Sequence, residues 1–204
     1  AGAGKTTAGL GRMARLLETG LPPGELLVLV PQRTLAAPYR EAMRHLAAAL
    51  DAPINIATLA GLARRMIDLF WPLVAEGAGF GDPDHRPLFL TLETAQYYMA
   101  RIAKPLIEER GYFESVRIER NRLYSQILDN LNKSAVVGFP PSEIASRLKG
   151  AWVGEQAQAR VYNHAQVCAQ HFRAYCLKHN LLDFSLQMSV FVNHLWKESL
   201  CRDH

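Results

Sequence analysis

A chain of 204 residues, 49% hydrophobic and 21% charged, is long enough to bury a core and has the composition of a soluble globular protein. Its net charge of +4 suits an anionic partner but is too mild to single one out. Three cysteines without a paired framework (Cys168, Cys176, Cys201), no apolar run near the ~20 residues of a membrane span and no signal-peptide layout point to a cytoplasmic protein with no membrane partner.

The first residues carry the strongest signal. Ala1-Gly2-Ala3-Gly4-Lys5-Thr6-Thr7 is the back end of the phosphate-binding pattern G-x-x-x-x-G-K-[ST], whose first glycine would lie upstream. In that pattern glycines let backbone N–H groups close around phosphates and the lysine reaches the outer phosphates. The Thr hydroxyl ligates Mg²⁺, and the following helix aims its positive end at the anion. The candidate nucleotide-binding residues are therefore Gly2, Ala3, Gly4, Lys5, Thr6 and Thr7. Lys5 and Thr6 are the candidate catalytic residues, Thr6 is the Mg²⁺ ligand through the nucleotide, and ATP and Mg²⁺ are the implied cofactors.

Apolar periodicity predicts a helix over residues 5–19, with Leu10, Met13, Ala14 and Leu17 on one stripe and Gly20 as its stop. After a turn at 21–24, the run Leu26-Leu27-Val28-Leu29-Val30 reads as a strand buried on both faces. Residues 34–50 return to helix through Leu35, Tyr39, Met43, Leu46 and Leu50. Ile54-Asn55-Ile56 reads as a second short strand, and Thr58 caps a helix reaching about Ala75. This alternation predicts an α/β fold with a parallel sheet wrapped by helices.

Composition then changes. A loop at 77–84 and an apolar patch, Leu88-Phe89-Leu90, lead to a helix capped by Thr91, with Glu93 in its first turn, running to about Arg110. Further helices are predicted over 116–133, 142–149, 154–179 and 184–199, with no strand beyond residue 90. His164, Cys168 and His171 share one helical face at metal-ligand spacing, with Cys176 and His179 nearby. The apolar stripe Val161, Ala165, Cys168, Phe172, Cys176 accounts for both cysteines as core instead.

These segments, in this order, resemble the N-terminal part of UvrD/Rep-type superfamily 1 DNA helicases. Ala1 through Thr6 resembles that family's motif I, and LLVLVPQRTLAA (residues 26–37) stands where the family runs a strand into motif Ia. Ala57-Thr58-Leu59-Ala60-Gly61-Leu62-Ala63 resembles motif Ib, and YCLKHNLLDFSL (residues 175–186) resembles the Tyr…Leu-Asp-Phe-x-x-Leu signature upstream of motif II. The resemblance implies a partial RecA-like P-loop NTPase domain with a parallel sheet over 1–88. It also implies an all-helical accessory insertion over 89–182 and a return segment over 183–204. The implied partners are single-stranded DNA, a duplex junction and the remainder of the helicase chain with its second RecA-like domain. Gln32, Arg33, Thr58 and Leu59 would contact DNA, although Thr58 suits a helix cap equally well.

The chain departs from the family where aromatic side chains usually stack on bases: Pro31-Gln32 and Leu59-Ala60 stand there. A degenerate, non-catalytic DNA-binding or scaffolding module is the alternative, and a P-loop kinase or NTPase unrelated to DNA is a third reading. Asp183 follows two leucines but is followed by no second acid, so it reads as a cap or packing hinge rather than a water-activating acid. This piece is therefore expected to show no turnover alone. Arg40 and Arg44 lie on one helical face, read as a solvated surface. Arg117, Arg120, Arg122 and Lys133 read the same way, interleaved with Glu114 and Glu119.

Overall fold

Helix formation begins where the periodicity places it. In the computed structural model, which describes residues 4–50, 54–154 and 159–197 (side chains 43, 45–50 and 196 excepted), helix α1 spans Lys5–Glu18. Strand β1 is Leu27–Leu29, followed by a 3₁₀ turn Arg33–Ala36 and helix α2, Ala37–Leu50. Strand β2, Asn55–Ala57, pairs with β1 in parallel, Leu27 opposite Asn55 and Leu29 opposite Ala57. The buried face of α1, Met13 and Leu17, packs with Leu26, and Leu16, Leu21, Val28, Tyr39, Ile54 and Ile56 close around them. This is the core of the first of two compact units, Ala1–Leu62.

β1 is shorter than the predicted strand and is covered on one face only. Val28 turns toward the core, whereas Leu27 and Leu29 are 43% and 49% exposed. The predicted stripe of the next helix also loses Leu35, which stands exposed in the 3₁₀ turn.

The second unit, Ala63–His204, is helical. Helix α3, Leu59–Val74, enters it and kinks at Phe70, whose backbone leaves helical geometry two residues before Pro72. Strand β3 (Leu88–Phe89) precedes α4 (Leu92–Arg110), α5 (Arg120–Val137), a 3₁₀ turn Pro141–Glu143, α6 (Ile144–Gly150) and α7 (Arg160–Lys178). Strand β4 (Leu181–Leu182), α8 (Phe184–Asn193) and a 3₁₀ turn Leu195–Lys197 follow. α5 packs against α4, α7 and α8, while α7 packs against α4 and α6. Met99, Ile127, Leu131, Ile144, Phe172, Leu182 and Met188 are fully buried in this core.

The expected RecA-like parallel-sheet domain is overturned. The structure is 68% helical, and among the described residues its only sheets are two parallel pairs, β1–β2 and β3–β4. Each strand has two or three residues, and among the described residues no third joins either pair. From Leu59 onward the apolar side chains recur at helical spacing, so burial there comes from helix packing.

β4 also corrects the expectation of no strand beyond residue 90. Two leucines carry no alternation to read; the strand exists through its partner, with Leu88 N–H donating to Asn180 O and Leu90 N–H to Leu182 O. Helix α5 starts at Arg120 rather than 116 because Glu119 caps it, accepting from the N–H groups of Asn121 and Arg122. α7 starts at Arg160, with residues 155–158 of the predicted helix outside the described residues. α8 stops at Asn193, short of 199. No described helix is long and apolar enough to cross a membrane.

Candidate functional site

Gly4 precedes α1 in the left-handed region, at φ 66°, and its carbonyl accepts from Ala8 N–H at 2.9 Å. Glycine is suited to that conformation because a Cβ would strain it. Lys5, Thr6 and Thr7 then form the first helical turn, all exposed. Among the described residues no side chain caps this end, and no acidic residue occupies its first turn. The leading N–H groups therefore have no intrahelical acceptors and no carboxylate in their own turn, and the helix dipole adds positive potential. Ala1, Gly2 and Ala3, the remaining predicted loop residues, lie outside the described residues.

The helix is held from behind. Met13 and Leu17 fix its buried stripe, and Gly9 lies close to Tyr39 of α2, where a Cβ would stand 3.0 Å from the phenol oxygen. This contact sets the N-terminal half of α1 beside the first turn of α2.

Gln32, Arg33, Thr58 and Leu59 share one end of the small sheet. β1 and β2 are parallel, so their following segments emerge together, and the 3₁₀ turn containing Arg33 packs beside β2. Gln32 and Arg33 are exposed, and Leu59 is 42% exposed. Thr58 Oγ1 accepts from Gly61 N–H at 3.0 Å, so this hydroxyl caps α3. Arg44 pairs with Glu41 at 2.8 Å on the solvated face of α2.

The His/Cys group does not converge on a point. Cys168 and Cys176 are fully buried, and burial raises both thiols, Cys168 to about 12. His171 is exposed, while His164 stacks on Tyr112 at 4.4 Å and accepts from Phe113 N–H through Nδ1 at 3.2 Å. Among the described residues no three His, Cys, Asp or Glu side chains are placed to hold a metal ion. Cys201 lies outside the described residues.

Asp183 is buried and caps α8, its carboxylate accepting from Ser185 N–H, Leu186 N–H and the Ser185 hydroxyl at 2.7 to 3.1 Å. Two residues that sequence reasoning passed over are Arg173 and Asn180. Arg173 sits on a polar position of the predicted α7 stripe, and nothing in its spacing marks it as half-buried. Asn180 adopts a positive φ of 51°, for which asparagine after a helix is a known but weak signal. No known family profile and no curated protein matches this chain.

Proposed function

We propose that the chain supplies the nucleotide-phosphate grip of an ATP-dependent DNA helicase of the UvrD/Rep type, coupling hydrolysis in the whole motor to movement on single-stranded DNA. One observation carries this reading: Gly4-Lys5-Thr6-Thr7 opens an uncapped, acid-free helix with the glycine in the left-handed region. Such an end places free N–H donors, an ammonium and a hydroxyl on the same anion. Lys5 would bind the β- and γ-phosphates and Thr6 would hold Mg²⁺, which would supply neutralisation of phosphate charge. Gln32, Arg33, Thr58 and Leu59, at the shared end of β1 and β2, face the DNA strand in this reading. A partner elsewhere in the helicase chain supplies the groups that activate water.

A fluorescent ATP analogue with Mg²⁺ tests it. Saturable binding that weakens by about tenfold or more in Lys5→Ala is expected, the scale of one charge-assisted phosphate contact. Binding that ignores Lys5→Ala counts against the site. No phosphate release above background is expected, because the carboxylate of Asp183 is buried and committed to its cap. The second reading is a non-catalytic DNA-binding or scaffolding module. It is favoured by the side chains of Gln32 and Leu59, which offer no aromatic face for base stacking. Retained DNA binding without nucleotide binding would select it.

A further inference from the structure

Arg173, from the middle of α7, leaves a hydrogen-bonding deficit where α7 meets the start of α8. Its Nη2 donates to Ser185 Oγ at 3.0 Å, and the Ser185 hydroxyl donates in turn to Asp183 Oδ2 at 2.7 Å. The guanidinium thus touches a neutral hydroxyl, and the nearest carboxylate is one hydrogen bond further away with its oxygens already engaged by two backbone N–H groups. Nε of Arg173 is buried and meets no acceptor among the described residues. Nε has no surface open to a ligand, but a guanidinium whose described hydrogen-bond partner is a neutral hydroxyl gains from an anion placed on its terminal nitrogens.

That space exists. Arg173 lines a cavity of about 210 Å³ whose other polar walls are Ser134, Ser189 and Asn193, and whose apolar wall includes Phe139 and Pro140. Among the described residues no carboxylate lines it. Ser134 donates its proton to Leu131 O and is spent. Asn193 Nδ2 donates to Ser189 Oγ at 3.2 Å, so Ser189 keeps its own proton for a further acceptor. The cavity thus combines a cation, a neutral hydroxyl donor and an apolar rim, with no carboxylate among its described walls.

We propose that this cavity is an oxyanion site, holding a phosphate or carboxylate group against Arg173 with Ser189 and Asn193 as neutral donors. It stands independently of nucleotide binding at Lys5. The guanidinium fork matches either planar carboxylate or phosphate oxygens, and the cavity leaves room for the fragment that carries the group.

The test titrates inorganic phosphate, and separately acetate, into the full chain at constant ionic strength and reads the thermal midpoint. A Lys5→Ala background removes the α1 end as a source of signal. A saturable rise in midpoint is expected in that background, lost in Arg173→Met and weakened by about threefold or more in Ser189→Ala/Asn193→Ala. A rise with phosphate alone assigns a phosphoryl group, and a rise with acetate as well extends the site to carboxylates; both support the proposal. No saturable rise with either anion overturns it, as does a rise that Arg173→Met leaves unchanged. Should Arg173→Met fail to fold by circular dichroism, the double variant decides, and an unchanged titration there overturns the site.

Discussion

Asn180 ties the end of α7 to the loop at 82–85 through its side chain and to β3 through its carbonyl. Its Oδ1 accepts from Asp82 N–H at 3.2 Å, and its Nδ2 donates to Asp82 O and to His85 O. Its carbonyl takes Leu88 N–H and so begins the β3–β4 pairing. Beside it, Gly81 N–H donates to Leu177 O at 2.9 Å, and a Cβ at Gly81 would stand 2.8 Å from Lys178 O, so only glycine permits this approach without a backbone shift. Asn180→Ala is therefore expected to cost about 2 kcal/mol, from the side-chain hydrogen bonds it loses and a positive φ that alanine resists. Asn180→Gly removes the conformational part and recovers a fraction of that loss, and urea unfolding of both variants measures the difference. Equal stability of the two would assign the whole effect to the side chain. The contrast with Asp183 explains what a sequence displays at this scale. An acid followed by an amphipathic run announces an N-cap, because cap and helix are adjacent in sequence. Asn180 acts on residues nearly a hundred positions away, and local chemistry carries no trace of them.

Helix ends set the pH response at the next scale. Glu119 and Glu93 lie below the usual carboxylate range, each first through backbone N–H groups at the starts of α5 and α4. Both contribute stability at neutral pH that fades as acid protonates them. His164 adds a response in the physiological range. Burial lowers its pKa below 6.5, and its Nδ1 must stay unprotonated to accept from Phe113 N–H. His194 is lowered too, by burial and then by Lys197, so it acts with the same sign. His85 is raised by its hydrogen bond and charge contact with Asp82, and its contribution is instead lost as pH rises through its folded value. For His164 the folded state binds the proton less well than the unfolded chain, so stability is intact above about 6.5 and falls as pH drops below it. His164→Phe keeps a ring against Tyr112 but abolishes the acceptor. It should be less stable at pH 8 yet lose less on going to about pH 5, by urea titration at stepped pH. A slope identical to the parent's would exclude His164 as the titrating group. Among whole elements, α1, α4 and α7 follow their apolar stripes closely because each buries one face. The start of α5 and the strand β4 were misjudged because a capping glutamate and a distant strand partner decided them, not periodicity.

At the scale of the whole molecule, the two units are stabilised unequally. Among the described residues the first buries Met13, Leu17, Leu26, Val30 and Ala36 with a shell of half-buried side chains, and its described sheet is a two-stranded pair, an arrangement that is marginal without further cover. The second buries Trp71, Ile67, Met99, Ile127, Leu131, Phe172 and Met188 completely, across several mutually packed helices. Local opening is governed by buried apolar contact, so amides of α1, β1 and β2 should exchange through lower-energy openings than those of α5, α7 and α8. The phosphate-binding candidates sit at the end of the less stable unit, where ligand binding has most to gain in protection. Leu131→Ala removes a fully buried side chain from α5 and should destabilise the second unit by about 2–5 kcal/mol. Hydrogen exchange read by mass spectrometry separates the outcomes. Faster exchange confined to α4, α5, α7 and α8 is expected, with α1 unchanged. Acceleration of equal size in α1 and β1 would mean that the chain opens as one cooperative body, and the division of stability argued from its two cores would be wrong.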